Sequence, residues 1–380
     1  MKIWNVCPTH DPAFGGLYRG INDFAEALDA PILSFDDGRQ DRSGLGDRAV
    51  RIPAGTGLLS RDCHVLPRAA AERAAEVIAG ADLLVVHSLF RAHAAWAAGW
   101  ARRHGKAYWA VPHGCLDPWS LGQRGLFKRA WLAAGGRRYL AGASRVIFST
   151  QRGLEKAARW VAPGTGVAVH WPVEVPRQSR RVATRVAFRK RLGIMDDAPM
   201  LLFVGRLHTV KRPIHTVRAF CNANAEPAHL VMVGMDGNLT AEDVRRTVPR
   251  EKQPFVHVAG PLSGDDLDMA YRAADGFVSL SFQENFGYAA AEAIARGLPV
   301  ILSPGHDLAY DLPRTVEGRI TCGWLLPDDS FGQAVMAIFD WAAMARVLRK
   351  TATEMGAAGR AWASEALSRE RFRERLRGLL

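Results

Sequence analysis

The sequence predicts an α/β protein built from two open domains, each a parallel sheet with helices on both faces, the two facing a central cleft. Three observations carry that prediction. Short apolar runs alternate with helical patterns along most of the 380 residues, as buried parallel strands joined by helices require. The alternation stops at a segment rich in proline and charge, "PVEVPRQSRR" at 172–181, and then restarts. The length suffices for two cores of ordinary size. The expected boundaries are 1–175 for a first domain and 176–355 for a second. A C-terminal amphipathic helix, 356–380, is expected to pack back on the first domain.

The elements follow in order. "MKIWNVC" reads as a buried strand, followed by a glycine-containing loop and a helix from about Arg19 to Leu28. "ADLLVVHS" is a strand and "RAHAAWAAGWARRHG" a helix. "KAYWAVPHG" repeats the strand-to-loop pattern, "SRVIFST" is a further strand, and "VAVHWPVEVP" closes the first series. In the second series the strands are "PMLLFVGRL", "AHLVMVG", "PFVHVAG", "GFVSLSF" and "LPVILSPG". Between them lie the helices "RPIHTVRAFCNAN", "TAEDVRRTVP", "SGDDLDMAYRAA" and "YAAAEAIARG". In such sheets ligands bind beyond the carboxyl ends of the strands, and every unusual loop of this sequence falls at such an end.

Composition narrows the function classes. Apolar residues make up 48% and charge is mixed, which argues against disorder. No run of about 20 apolar residues is present to form a membrane span, and the N-terminus lacks the apolar core of a signal peptide. The five cysteines, Cys7, Cys63, Cys115, Cys221 and Cys322, are scattered without C-x-x-C. That suits a reducing cytoplasm and disfavours zinc or a disulfide framework. Net charge is +12 and uneven: residues 1–180 hold 24 Lys/Arg against 15 Asp/Glu. Within 102–145 nine basic residues face one acid, Asp117. An anionic partner is implied: a phosphorylated substrate, a membrane surface or nucleic acid. Nucleic acid is disfavoured, because no recognition fold or aromatic platform accompanies the charge.

Two stretches carry the chemistry. In "SFQENFGYAAAEAIARGLPV", 281–300, a strand ends at a polar turn and a small-residue helix begins near Gly287. A helix start leaves N–H groups unpaired and holds phosphate well. Glu284 stands before that start and Glu292 about 7 Å into the helix, at ~1.5 Å per residue. Each carboxylate can grip a vicinal diol, and a nucleotide sugar offers one diol on its sugar and one on its ribose. In "LLFVGRLHTVKRPIHTV", 201–217, Arg206 and Lys211 follow a strand, where two cations can hold a diphosphate as it leaves.

The E-x7-E spacing of Glu284 and Glu292, the string "ENFGYAAAEAIARGLPVI" around it, and the G-R-L strand end followed by lysine closely resemble the retaining GT-B glycosyltransferases of family 4. The resemblance implies a GT-B fold of two Rossmann-like domains. It implies transfer of a hexose from a nucleotide sugar, such as GDP-mannose or a UDP-hexose, to a hydroxyl acceptor. Glu284 would contact donor-sugar hydroxyls and Glu292 the ribose. The amides of Asn285, Phe286 and Gly287 would line the sugar and phosphates, and Gly260, Pro261 and Leu262 the base. No metal and no cofactor is expected. The Arg212–Pro213 pair stands where the family often has glycine after the lysine, so Arg212 reads as a third phosphate ligand or as a solvated residue. His208 in the same loop has no assigned role.

In the first half, Gly15 and Gly16 resemble the family's glycine pair near the reacting centre and acceptor. The segment "VPHGCLDPWSLGQRGLFKRAWLAAGGRRYLAGASR" resembles a bacterial polysaccharide-assembly subgroup. His113 stands there at a strand end, where several branches keep a histidine beside the anomeric carbon. It is the catalytic candidate of this half, with a hydrogen-bonded loop histidine as the alternative. Asp117 and Trp119 are candidates for an acceptor pocket or for loop packing. The basic, aromatic helix that follows suits an anionic membrane surface or a polyprenyl-diphosphate-linked glycan acceptor, or forms an ordinary solvated face. The expected location is cytoplasmic, either free or peripheral on the inner face of the membrane, and the subgroup resemblance with the basic first domain implies exopolysaccharide or lipopolysaccharide assembly. Asp266 and Asp268 form a D-x-D better read as a helix first turn than as metal ligands. His87 and His93, six apart, fit no metal spacing. The alternatives are a non-catalytic nucleotide-sugar or membrane-surface binding protein and a GT-B nucleotide-sugar epimerase. An oxidoreductase is disfavoured by the missing G-x-G-x-x-G.

Overall fold

The structure, a computed structural model, describes residues 1–36, 48–54, 63–176, 181–195 and 197–380. Residues 177–180 of the expected linker lie outside them. The chain forms two compact units: Met1–Pro172 with Arg369–Leu380, and Val173–Ser368.

The first unit holds a seven-stranded parallel sheet in the order β3-β2-β1-β4-β5-β6-β7. Its strands are β1 (Ile3–Cys7), β2 (Ile32–Ser34), β3 (Ala49–Arg51), β4 (Leu83–His87), β5 (Ala107–Val111), β6 (Arg145–Phe148) and β7 (Gly166–Ala168). β1, β4 and β5 are apolar and almost wholly buried, as strands covered on both faces must be. The order reverses between β1 and β4, and sheets of this kind take their ligands beyond the carboxyl ends at such a reversal. The helix Gly16–Leu28 fixes that end by setting Phe24 edge-on, at 5.2 Å, to each of His87, Trp171 and Phe372. Such pairs are worth about 0.5–1.5 kcal/mol each beyond burial. Phe372 arrives on the C-terminal helix Arg369–Arg377, whose Arg369 pairs with Glu26.

The second unit holds a six-stranded parallel sheet in the order β10-β9-β8-β11-β12-β13. Its strands are β8 (Met200–Val204), β9 (His229–Val233), β10 (Val256–Gly260), β11 (Gly276–Ser279), β12 (Val300–Leu302) and β13 (Gly323–Leu325). The order reverses between β8 and β11. Trp341, fully buried on the helix Phe331–Val347, anchors the core and donates to the Asp275 carbonyl at 3.4 Å. Arg189 is also fully buried; its guanidinium pairs with Asp275 and donates to the carbonyls of Ala273, Met195 and Ala198. A buried cation needs that complete set of acceptors. The two sheets together are those of a GT-B fold.

Two expectations are corrected. The single helix expected over 356–380 is broken at Leu367–Ser368, between Arg349–Ala366 and Arg369–Arg377. The basic helix expected after Trp119 is also broken. It runs as Pro118–Gly122, Gly125–Trp131 and Arg137–Ala141, and Gly135, at φ 151, interrupts the last junction. Among the described residues no single helix is long and apolar enough to cross a membrane.

Candidate functional site: an ion pair at the switch point of the second sheet

The chain leaving β8 turns through the short 3-10 helix Thr209–Lys211, where His208 Nδ1 accepts from the Val210 amide at 3.1 Å. This gives His208, unassigned from sequence, a capping role. The chain leaving β11 passes beside that turn, and the Phe282 amide donates to the Val210 carbonyl at 2.9 Å. The loop after β12 completes the arrangement. The Glu284 amide donates to the Gly305 carbonyl and the Asp307 amide to the Glu284 carbonyl, each at 2.9 Å. Three loops thus fix the backbone of Glu284, and its carboxylate pairs with the Lys211 ammonium. Burial alone would raise the Glu284 pKa; the charge of Lys211, with His306 and a Ser281 hydrogen bond, outweighs it and holds the carboxyl below its ordinary range.

Behind the pair runs a line of small polar groups. His306 Nε2 meets Ser279 Oγ at 2.8 Å, Ser279 Oγ meets Ser281 Oγ at 3.2 Å, and Ser281 Oγ donates to Glu284 Oε1 at 3.5 Å. His306 is enclosed, and burial lowers its pKa to about 4 against the opposing pull of Glu284. Its Nδ1 has no hydrogen-bond partner among the described residues. Gly287 sits over that atom: at φ 73 it takes a conformation glycine tolerates best, and a Cβ there would lie 3.2 Å from His306 Nδ1. Gly287 is the N-cap of the helix Tyr288–Ala295, and no side chain caps it. Its amide end carries the partial positive charge of a helix start.

Residues 184–361 match the family of glycosyl transferases group 1. The second unit is a group 1 glycosyltransferase domain. The chain is 31% identical over 208 residues to a D-inositol 3-phosphate glycosyltransferase of Xylanimonas cellulosilytica, which covers 50% of this chain and 47% of that protein. It is 34% identical over 163 residues to an uncharacterized glycosyltransferase of Methanocaldococcus jannaschii, covering 41% and 40%. The chain thus spans about half the length of the curated relatives it matches. Among solved structures it is similar to Anabaena HepE in complex with UDP and glucose, at 16% identity and a TM-score of 0.77, covering 100% of this chain and 98% of that one. It is similar to a sucrose-phosphate synthase from Thermosynechococcus elongatus at 21% identity, the same TM-score and the same coverage. These likenesses extend over both units and show the fold.

Within the group 1 domain the other sequence candidates take these places. Glu292 lies one turn into the helix, its Oε2 accepting from Tyr271 at 3.0 Å; the same hydroxyl bonds the Ala289 carbonyl at 3.1 Å. Asn285 donates to Asp307 at 3.5 Å, and Phe286 is buried against Tyr288 at 5.0 Å. Arg206 is exposed beyond β8, its stem packed along Gly237 of the loop after β9. Gly260, at φ 76, ends β10 with open space about it and leads into Pro261 and Leu262. Arg212 pairs with Asp329 at 2.9 Å and lies 4.2 Å over the Phe282 ring. Asp266 pairs with Arg191, and Asp268 with Arg272 and Arg296, so both carboxylates of the D-x-D are held by arginines.

In the first unit, Gly15 caps the helix Gly16–Leu28 at φ 52, ψ −108, open to solvent. Asp117 caps the helix Pro118–Gly122, accepting from the Trp119 amide at 2.9 Å and pairing with Lys156 at 2.9 Å; Trp119 stays 40% exposed. His113 follows β5 at φ 49. Its Nε2 lies 2.9 Å from His87 Nδ1, and His87 Nε2 lies 3.0 Å from Asn5 Oδ1. Burial keeps both rings neutral: it lowers the His113 pKa to about 3 and that of His87 well below its ordinary value.

His306, Tyr271 and Asn5 escaped the sequence reading, and so did the pairing of His87 with His113. The "SPGHD" loop after a strand end was a signal for His306. His87 was weighed only against His93, whose Nε2 in fact donates to the His87 carbonyl at 2.8 Å.

Proposed function

We propose that the chain is a retaining, metal-independent hexosyltransferase that moves a hexose from a nucleotide sugar to a hydroxyl of a glycan or lipid-linked glycan. The observation that carries this reading is the Lys211–Glu284 pair at the switch point of the second sheet, beside an uncapped helix start. In the free protein the two charges satisfy each other. A bound nucleotide sugar brings a diphosphate for Lys211 and hydroxyls for Glu284, so the pair parts without leaving either charge unmet. Arg206 and the helix amides add to the positive field on the diphosphate, which stabilises it as it leaves. The departing oxygen then takes the acceptor's proton on the same face of the sugar, and configuration is retained. Glu292, oriented by Tyr271, holds the ribose, and the loop at Gly260–Leu262 holds the base. HepE, of the same fold, is recorded with UDP and glucose, which supports this donor class.

The acceptor class rests on the first unit. Leu126 is 84% and Phe127 46% exposed, among the exposed Arg124, Arg129, Arg137 and Arg138. Apolar side chains ringed by arginine suit an anionic bilayer or a polyprenyl diphosphate. The enzyme then works at the membrane surface in polysaccharide assembly. WaaG, of the same fold at 15% identity and a TM-score of 0.71, is described as involved in lipopolysaccharide biosynthesis.

The test is thermal protection by GDP-mannose, UDP-glucose, UDP-galactose and UDP-N-acetylglucosamine. A ligand at a hundred times its Kd adds about 2.7 kcal/mol, or roughly 5–10 °C in Tm for a domain of this size. One donor is expected to protect selectively; protection by none contradicts the reading.

A further inference from the structure

A second place in the second unit gathers cations, at the end of the sheet opposite Lys211 and Glu284. Pro199, Asp275 and Pro299 immediately precede β8, β11 and β12. They share the wall of a cavity of about 240 Å³ with Arg185, Arg296, Arg349 and Arg360. The strands are parallel, so this is the amino end of the sheet, whereas the Lys211–Glu284 pair follows the carboxyl ends. At ~3.3 Å per residue the five residues of β8 alone hold the two places roughly 16 Å apart.

The charges around the cavity do not balance. The Asp275 carboxylate is shared: it pairs with Arg185 at 2.9 Å and with the buried Arg189, and it accepts from the Met200 amide at 2.9 Å. Asp268 is shared in the same way between Arg272 and Arg296. Arg360 directs its donors to neutral carbonyls, that of Ala295 at 3.1 Å and that of Pro176 at 2.5 Å. Arg349 is exposed, and its guanidinium meets no acceptor among the described residues. The other carboxylate of the wall, Asp197, is also exposed. Counting the wall and its ion-pair partners, the guanidiniums of Arg185, Arg189, Arg272, Arg296, Arg349 and Arg360 stand against three carboxylates.

The backbone adds to the imbalance. Arg349 opens the helix Arg349–Ala366, whose start has no side-chain cap and no acid in its first turn, and Lys350 follows it. Cations are misplaced at a helix start, which carries partial positive charge and favours anions. Lys350 finds Glu354 at 3.9 Å; Arg349 has no such partner among the described residues. A close backbone approach holds this helix against the strand ends: a Cβ on Gly356 would lie 2.1 Å from the Gly297 carbonyl oxygen.

We propose that this cavity binds a small phosphorylated anion, separately from any donor at Lys211. Guanidinium groups pair with phosphate in a planar, bidentate geometry, and a helix start offers unpaired amides to the same group. One phosphoryl group neutralises the surplus that the aspartates leave. The size excludes a second nucleotide sugar, since pockets for drug-sized ligands begin at about 300 Å³.

The test is calorimetric titration of inorganic phosphate and of glycerol 3-phosphate into the full chain and three variants, at pH 8 and a constant ionic strength of about 0.15 M. Lys211→Ala is expected to keep one phosphate site of undiminished affinity, because the cavity lies at the other end of the sheet. Arg349→Gln is expected to weaken that site roughly tenfold, as the loss of one charge-assisted contact does. Thr353→Glu places a carboxylate on the cavity wall and is expected to abolish it. Both positions are exposed, so neither substitution disturbs the core. Tighter binding of glycerol 3-phosphate assigns the site to a phosphate ester, and equal or weaker binding assigns it to the free ion. The absence of a phosphate site in Lys211→Ala overturns the proposal, and so does binding that both cavity variants leave unchanged.

Discussion

The two units carry near-identical sheets and opposite electrostatics at their switch points. Beyond β8 and β11 stands a charged pair, Lys211 with Glu284. Beyond β4 and β5 stand neutral groups, with His87 and His113 kept uncharged by burial. The difference follows from what surrounds each. Glu284 keeps its charge because a cation, an imidazole and a serine outweigh its burial. His87 and His113 meet each other, the Asn5 amide and the rings of Phe24 and Trp171. One sheet order thus places a charged pair in the second unit and neutral imidazoles in the first.

The substitutions that break this contrast differ in size. Lys211→Ala and Glu284→Ala are expected to cost the most, lowering kcat by about 10²–10³, the range for removing one preorganised electrostatic group. Steady-state transfer assays check this, and wild-type rates in both folded variants contradict it. His113→Ala is expected to cost less, about tenfold to a hundredfold, because it removes an oriented hydrogen bond rather than a charge. Gly287→Ala is expected to destabilise the second unit by about 1–3 kcal/mol, through its left-handed backbone and the clash with His306; denaturant unfolding reads that loss. Asp117→Ala removes a helix cap and is expected to cost about 1 kcal/mol, seen as a lower Tm of the first unit.

Acid sharpens the contrast further. His93, His306 and His229 are lowered to about 4 and His113 to about 3, in each case chiefly by burial. A histidine whose folded pKa lies below its unfolded value of 6.5 binds protons more readily in the unfolded chain. Its contribution is therefore complete above pH 6.5 and is lost as pH falls toward 4. Tm is expected to drop between pH 7 and 5, and a flat profile contradicts the neutral, buried histidines.

How much of this the sequence revealed depends on the reach of each interaction. The strands β1, β4, β5, β8, β9, β10, β11 and β12 are apolar runs bounded by loops and were legible locally. β2, β3 and β13, three residues each, were not, because register with a neighbour rather than composition makes them strands. Lys211 and Glu284 were legible singly, each in a distinctive string, but their pairing across 73 residues follows from the order of β8 and β11. The Asn5–His87–His113 line spans three strands, and no local pattern marks it. Judging His87 by its distance to His93 missed the partner that the sheet order brings back 26 residues later.

The central claim is that Lys211 leaves Glu284 to meet a diphosphate. Calorimetric titration of UDP against UMP, and of GDP against GMP, into wild-type protein and Lys211→Ala tests it most directly. The diphosphate is expected to bind wild-type protein more tightly than the monophosphate, and Lys211→Ala is expected to erase most of the difference. An undiminished preference for the diphosphate in Lys211→Ala contradicts it.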